Sequence, residues 1–146
     1  MDFSAFLHDI QTAPGYAGQL VYLRESPARG ARYAETARPL SAAAEALLRA
    51  RGVDRLYTHQ AAAIDAVRAG EDVAVVTGTA SGKSLCYTVP LIECFAADPH
   101  AAALLLFPTK ALTQDQFQRV NAALTAAGLD VLAGVYDGDT PPAMRR

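Results

Sequence analysis

The chain has 146 residues, 51% of them hydrophobic, a length that allows one domain with ample material for a core. Its formal net charge of −2 gives no global basic field for nucleic acid, although a local cleft can be positive on an acidic protein. No apolar run approaches the roughly 18 residues that span a bilayer, and the stretch Met1 to Asp9 carries acid where a signal peptide carries base. A soluble, reducing, cytoplasmic setting without a membrane partner is therefore expected.

In chain order, Asp2 to Ala13 predicts a short amphipathic helix with Phe3, Phe6, Leu7 and Ile10 on one stripe. Pro14-Gly15 stops it. Residues Arg24 to Pro39 mix Pro, Gly, Arg and Ala and read as an irregular lead-in. Seven arginines lie between Arg24 and Arg55, either a local basic surface or the solvated face of a helical lead-in. Ser41 caps a predicted helix to Ala50, closed by Gly52. Thr58 caps another that runs to Ala69 and ends at Gly70. Val73 to Val76 is the first strand. A helix follows from Lys83 to Ala97, with Pro90 expected to kink or interrupt it. Ala101 to Phe107 is a continuous apolar run, as in a strand buried on both faces. Thr113 to Ala127 reads as a helix and Leu129 to Tyr136 as a third strand. Strands alternating with helices predict α/β architecture with a doubly wound parallel sheet. Ligands of such sheets sit beyond the carboxyl ends of the strands, where the motifs below all fall. Cys86 and Cys94, eight apart, read as core thiols rather than metal ligands. His8, His59 and His100 are scattered and make no metal cluster.

Val73 to Ser84 carries the strongest chemistry. An apolar strand runs into the small-residue loop Thr77-Gly-Thr-Ala-Ser-Gly-Lys-Ser84, and a helix follows. Thr79, Ala80, Ser81 and Gly82 let backbone N–H groups curl around a phosphate. Lys83 adds a compact positive charge and the Ser84 hydroxyl reaches Mg²⁺. The helix start points its own N–H groups at the same anion. The chain has only two lysines, Lys83 and Lys110. Thr77 breaks the strict pattern G-x-x-x-x-G-K-[ST], and Ala80 requires a loop conformation that tolerates a Cβ.

Two further loops stand in register with this one. Upstream, Leu56-Tyr-Thr-His-Gln60 offers a glutamine amide whose donor and acceptor match the N6 and N7 of adenine, with a tyrosine, Tyr57, or an arginine plane to stack on the base. Alone, Gln60 would read as an exposed residue at a helix start. Downstream, Pro108-Thr109-Lys110-Ala-Leu112, with Gln114 and Gln116 after it, brings a hydroxyl, an ammonium and helix-terminal N–H groups together. These bind phosphate without reading bases. Its bland alternative is a strand-to-helix turn punctuated by proline. Gly138-Asp139-Thr140 follows the third strand and by itself is a common turn sequence.

The loop T-G-T-A-S-G-K-S resembles motif I of superfamily 2 helicases. L-Y-T-H-Q resembles their adenine-reading Q motif, and P-T-K-A-L resembles motif Ia. Together with G-D-T, these motifs resemble the first RecA-like domain of a DEAD/DEAH-box helicase, over roughly Arg38 to Arg146. The strings F-P-T-K-A-L and Y-D-G-D-T-P are similar to bacterial repair helicases of the mitomycin repair factor A type and their fungal RecQ4-related cousins. The resemblance implies a partial RecA-like fold at 56–146 behind a helical lead-in at 1–55. It implies ATP and Mg²⁺ as cofactors, with Gln60 on adenine, Lys83 on the β/γ phosphates and Ser84 on Mg²⁺. It implies nucleic acid, single-stranded DNA rather than RNA, at Pro108, Thr109, Lys110, Gln114, Gly138, Asp139 and Thr140. No D-E-x-[HD] motif is present to hold the metal and orient water, and no second RecA-like domain follows. Phosphoryl transfer needs these parts together. The chain alone is expected neither to hydrolyse ATP usefully nor to unwind a duplex, and to be the front piece of a longer or split protein. Other readings are a different P-loop NTPase or small kinase, a standalone nucleotide- or nucleic-acid-binding module, and an inert fragment.

Overall fold

The computed structural model describes residues 2–25, 27, 30–141 and 143. Arg29 and residues 144–146, which the sequence reading included, lie outside them. Contacts divide the chain into two compact units, Met1–Gly30 and Ala31–Arg146. The first holds α1 (Phe3–Thr12), whose N-cap Asp2 accepts from the N–H groups of Ser4 and Ala5. Its apolar stripe stays exposed at Phe3, Phe6 and Ile10.

The second unit holds α2 (Ala42–Ala50), α3 (Thr58–Arg68), α4 (Ser84–Ala97) and α5 (Lys110–Ala126). Local chemistry sets their ends. The Ser41 hydroxyl accepts from the Ala44 N–H at 3.2 Å and starts α2. The N-cap of α3 is Tyr57, one residue before the expected Thr58, because the Gln60 side chain reaches back to the Tyr57 N–H at 2.8 Å. Thr109 caps α5 through its hydroxyl, so this helix begins three residues earlier than Thr113. Helix α4 runs unbroken through Pro90. It is apolar on most sides, as a central helix must be, and it packs against α2, α3 and α5. Leu47, Ile64, Val89 and Ile92 are fully buried at its contacts, each stabilising the unit by about 1.5–3 kcal/mol. Cys86 is part of this interior, whereas Cys94 is exposed, which corrects the pairing of both as core thiols.

Among the described residues there is no β-strand, and the one isolated bridge pairs Tyr33 with Tyr57. The three segments expected as parallel strands therefore form no ladder. Their side chains nevertheless alternate. Val75 and Thr77, Leu105 and Phe107, and Val131, Ala133 and Val135 are half-buried while the residues between them are exposed, the period of two of a strand lying on a core. Leu105, Val131 and Ala133 pack on the helical core. The opposite face is bare, with Leu104 and Leu106 each 81% and Leu132 100% exposed. The run 101–107, expected to be buried on both faces, is covered here on one face alone, the one on which the helices lie. Strands pair at about 4.8 Å. Here Val73, Val75 and Leu105 instead border a groove of about 570 Å³ floored by Cys86, Pro90 and Cys94 of α4. Among the described residues no helix is long and apolar enough to cross a membrane.

Candidate nucleotide and nucleic-acid site

The loop 77–84 stands at the start of α4 and is braced from within. The Thr77 and Ser81 hydroxyls are 2.6 Å apart. The residue that breaks the strict glycine pattern is therefore a loop brace. Lys83 Nζ donates to the carbonyl of Thr77 at 3.0 Å and to that of Gly78, and lies 3.5 Å from the Ser81 hydroxyl. The ammonium thus sits at the mouth of the loop. Ser84 is the first residue of α4. Among the described residues, no carbonyl or side chain accepts from the N–H groups of Ala80, Ser81, Gly82, Lys83 or Ser84. A run of unengaged donors beside an ammonium at a helix N-terminus is an anion-binding arrangement.

Backbone conformation makes that curl possible. Gly82 has φ +71°, and a Cβ there would lie 2.5 Å from Gln60 Nε2. Ala80 has φ 57°, a left-handed conformation that a side chain rarely adopts. Ala80→Gly is expected to leave stability unchanged or raise it by up to about 1 kcal/mol, since glycine takes this φ without the Cβ contact. A urea unfolding midpoint that falls instead would show that the Ala80 methyl is held in place by packing.

The start of α3 is fastened to this loop at two points. His59 Nε2 donates to the Ser81 carbonyl at 3.0 Å. Gln60 Nε2 donates to the Gly82 carbonyl at 2.9 Å, while its Oε1 accepts from Tyr57 N–H. Gln60 is only 2% exposed, so it is not the surface residue that its bland reading required. An amide offers two donors and two acceptor positions, and one of each is engaged here. Tyr57 is stacked with Tyr33 at 5.3 Å between centroids and with His59 at 5.8 Å. The Arg55 guanidinium lies 4.6 Å over the Tyr33 ring. Sequence reasoning missed Tyr33, His59 and Arg55 as partners of this site. His59 lay inside the quoted L-Y-T-H-Q string, whereas Tyr33 lay in a stretch without pattern and gave no signal.

The second set of predicted residues gathers at the start of α5. Pro108, Thr109, Lys110 and Gln114 are exposed. The Thr109 hydroxyl accepts from Leu112 N–H at 3.3 Å, an engagement that leaves its own proton for another acceptor. The turn 137–140 comes alongside. The Asp137 N–H donates to the Thr140 hydroxyl at 2.8 Å and the Asp139 N–H to the Asp137 carboxylate at 2.8 Å. Lys110 Nζ pairs with Asp139 at 2.6 Å, and this ion pair holds the Lys110 ammonium above its ordinary pKa. The structure thus brings Lys110, Gly138 and Asp139 together, and separately joins Gln60, Gly82 and Lys83 around the loop.

Comparison with known proteins bears on both clusters. Residues 57–146 match the family model of the DEAD/DEAH box helicase. The ATP-dependent helicase YprA of Bacillus subtilis is 49% identical over 102 residues, covering 70% of this chain and 14% of that protein. The ATP-dependent helicase hrq1 of Schizosaccharomyces pombe is 37% identical over 140 residues, covering 92% of this chain and 13% of its own length. The crystal structure of the DUF1998 helicase MrfA bound to DNA and AMPPNP superposes with a TM-score of 0.75 at 44% identity, over 80% of this chain and 16% of that one. The chain therefore spans about one seventh of the length of these relatives. The matched region begins at Tyr57, takes in the phosphate loop and continues through Lys110 and Asp139, and on that ground the chain belongs to the DEAD/DEAH box helicase family of superfamily 2, similar to its MrfA-type members.

Proposed function

We propose that the chain is the ATP-binding and nucleic-acid-gripping part of the first RecA-like domain of an ATP-dependent DNA repair helicase. The observation that carries this reading is the braced loop with Lys83 at its mouth and N–H donors left unengaged from Ala80 to Ser84. The loop takes the β/γ phosphates, and ATP supplies the phosphoryl bond whose cleavage drives movement. Gln60, fastened to Gly82, keeps one N–H and one lone pair for the adenine edge, which they reach once the side chains that cover this 2%-exposed amide move aside. Its position couples the base end of the nucleotide to the phosphate end. Mg²⁺ fits at Ser84 only with oxygens of the nucleotide and water. Among the described residues no group of three or more His, Cys, Asp or Glu side chains could hold a metal.

Thr109, Lys110, Pro108 and Gln114, with the turn Gly138 to Thr140, form the surface for a phosphodiester backbone, single-stranded DNA in the first instance. The alternating, one-sided burial of 73–77, 101–107 and 129–136 supports a parallel sheet completed by further strands and a second helical layer. These come from the rest of the helicase, in the same polypeptide or as a split chain. The ATP-binding part then begins near residue 56, with residues 1–55 as lead-in.

Binding of a labelled single-stranded oligonucleotide tests the grip. Lys110→Ala is expected to weaken it about 3- to 10-fold and to flatten the dependence of log K on log salt by about 0.7, the share of one neutralised phosphate. Unchanged affinity and slope would remove Lys110 from the nucleic-acid surface.

A further inference from the structure

We infer that Asp139 sets the affinity of the nucleic-acid grip by occupying Lys110 in place of a phosphate, so that the bound strand must displace its carboxylate. The inference rests on the proposed role of Lys110 and adds to it a residue that opposes binding. The resemblance to helicase motifs gave Asp139 the reverse role, a contact that helps to hold the strand.

The geometry leads to that reversal. Lys110 Nζ and Asp139 Oδ2 are 2.6 Å apart, a direct charge-assisted contact with no room for water between them. The lysine side chain also lies along the turn, since a Cβ on Gly138 would meet Lys110 Cε and Nζ at 3.5 Å. The described hydrogen bonds of the turn do not use the Asp139 carboxylate. Asp137 caps it through Asp139 N–H, and the Thr140 hydroxyl receives Asp137 N–H. Among the described residues the Asp139 carboxylate accepts from no backbone group of the turn, so a loop closed by other groups carries it to Lys110. A carboxylate and a phosphodiester are both oxygen anions that accept from an ammonium. They cannot share one lysine at contact distance without like-charge repulsion.

Exposure decides what kind of device this is. The side chains are 54% exposed at Lys110 and 80% at Asp139. Pairs in such contact with water hold weakly. The exchange of carboxylate for phosphate is thus easy, and Asp139 tunes affinity instead of blocking the site. The exchange also carries a salt signature. A strand that takes Lys110 releases its counterion, while the freed Asp139 gathers a cation, which offsets the release.

The test is a four-way comparison of the protein, Asp139→Asn, Lys110→Ala and the double variant. Each is titrated against a fluorescein-labelled single-stranded oligothymidylate by anisotropy, between about 50 and 200 mM salt. Asp139→Asn is expected to bind about 3- to 10-fold tighter at the low-salt end, with a log–log salt slope steeper by about 0.7. In the Lys110→Ala background the same change is expected to gain less than about twofold, because the carboxylate acts through the lysine. Equal gains in both backgrounds would overturn the inference in favour of a general charge effect. Weaker binding by Asp139→Asn would overturn it in favour of a direct contact between the carboxylate and the strand. If Lys110→Ala weakens binding while Asp139→Asn changes nothing, the inference alone fails. If Lys110→Ala has no effect in either background, the role of Lys110 fails and the inference with it. Since Asp137 and Thr140 hold the turn, circular dichroism of Asp139→Asn should match that of the unaltered protein.

Discussion

Replacing Lys83 with alanine is expected to lower the affinity for a non-hydrolysable ATP analogue by about 10- to 100-fold, the worth of a charge-assisted hydrogen bond lost from a phosphate site. In the structure the ammonium is held by the carbonyls of Thr77 and Gly78 at the loop mouth. It therefore stands ready beside the N–H donors that follow it. Alanine removes the charge and the interaction with those carbonyls, but not the helix, since α4 begins at Ser84 and is anchored by Leu85 and Val89 in the core. Fluorescence titration with the analogue, with far-ultraviolet circular dichroism alongside, separates loss of binding from loss of fold. Lys83→Arg should not restore affinity fully, because a planar guanidinium cannot enter the place of a compact ammonium. Undiminished affinity in Lys83→Ala would take the nucleotide away from this loop.

The second large effect concerns stability. Arg68 makes a two-pronged pair with Glu93, Nε to Oε2 at 2.8 Å and Nη2 to Oε1 at 2.7 Å. The same guanidinium donates to the carbonyls of Arg38 and Pro39 at 2.9 and 3.2 Å. The Ser41 N–H donates to Glu93 at 2.9 Å. One ion pair thus ties the segment leading into α2 to α3 and α4. With side chains only 11% and 16% exposed, it lies far enough from water that breaking it leaves a stranded charge. Glu93→Gln is expected to cost about 2–4 kcal/mol, between a single charged hydrogen bond and a fully buried pair. A urea midpoint shift with an unchanged m-value would measure it. A change below about 0.5 kcal/mol would rank the pair with ordinary surface pairs.

The same pair gives a pH dependence of definite sign. Burial pushes the Glu93 carboxyl up, but the Arg68 hydrogen bonds and the Ser41 N–H outweigh it and hold the pKa below the ordinary 4.5. Arg68 is shifted upward by the same contact, so the two partners agree. A carboxyl whose folded pKa is depressed stabilises fully above its unfolded pKa, and that contribution disappears as pH falls through the folded value. The unaltered protein should therefore lose stability on acidification below about pH 4.5, and Glu93→Gln should flatten that limb of the curve.

Much of this protein was legible in local pattern. The cap at Ser41, the apolar stripe of α1 and the stops at Pro14-Gly15, Gly52 and Gly70 placed helix ends within a few residues. The order of the phosphate loop, its upstream glutamine and P-T-K-A-L indicated the family that the comparison with known helicases established. Helix starts shifted where a side chain reached further than propensity suggests, as Gln60 did at Tyr57 and Thr109 did at α5. The three extended segments were legible as apolar runs but their one-sided burial was not, since the half-buried positions from Val75 to Val135 alternate with exposed ones.

The sequence by itself determined the helices and the family, because caps, stops and motif spacing are local and survive without knowledge of neighbours. Only the tertiary structure decided what those residues do to one another. It joined Gln60 to Gly82, set Thr77 against Ser81, stacked Tyr33 on Tyr57 and paired Lys110 with Asp139. It also left 73–76, 101–107 and 129–136 without ladders and their outer face bare. A helix satisfies its backbone from within, whereas a strand depends on a partner that its own residues do not specify.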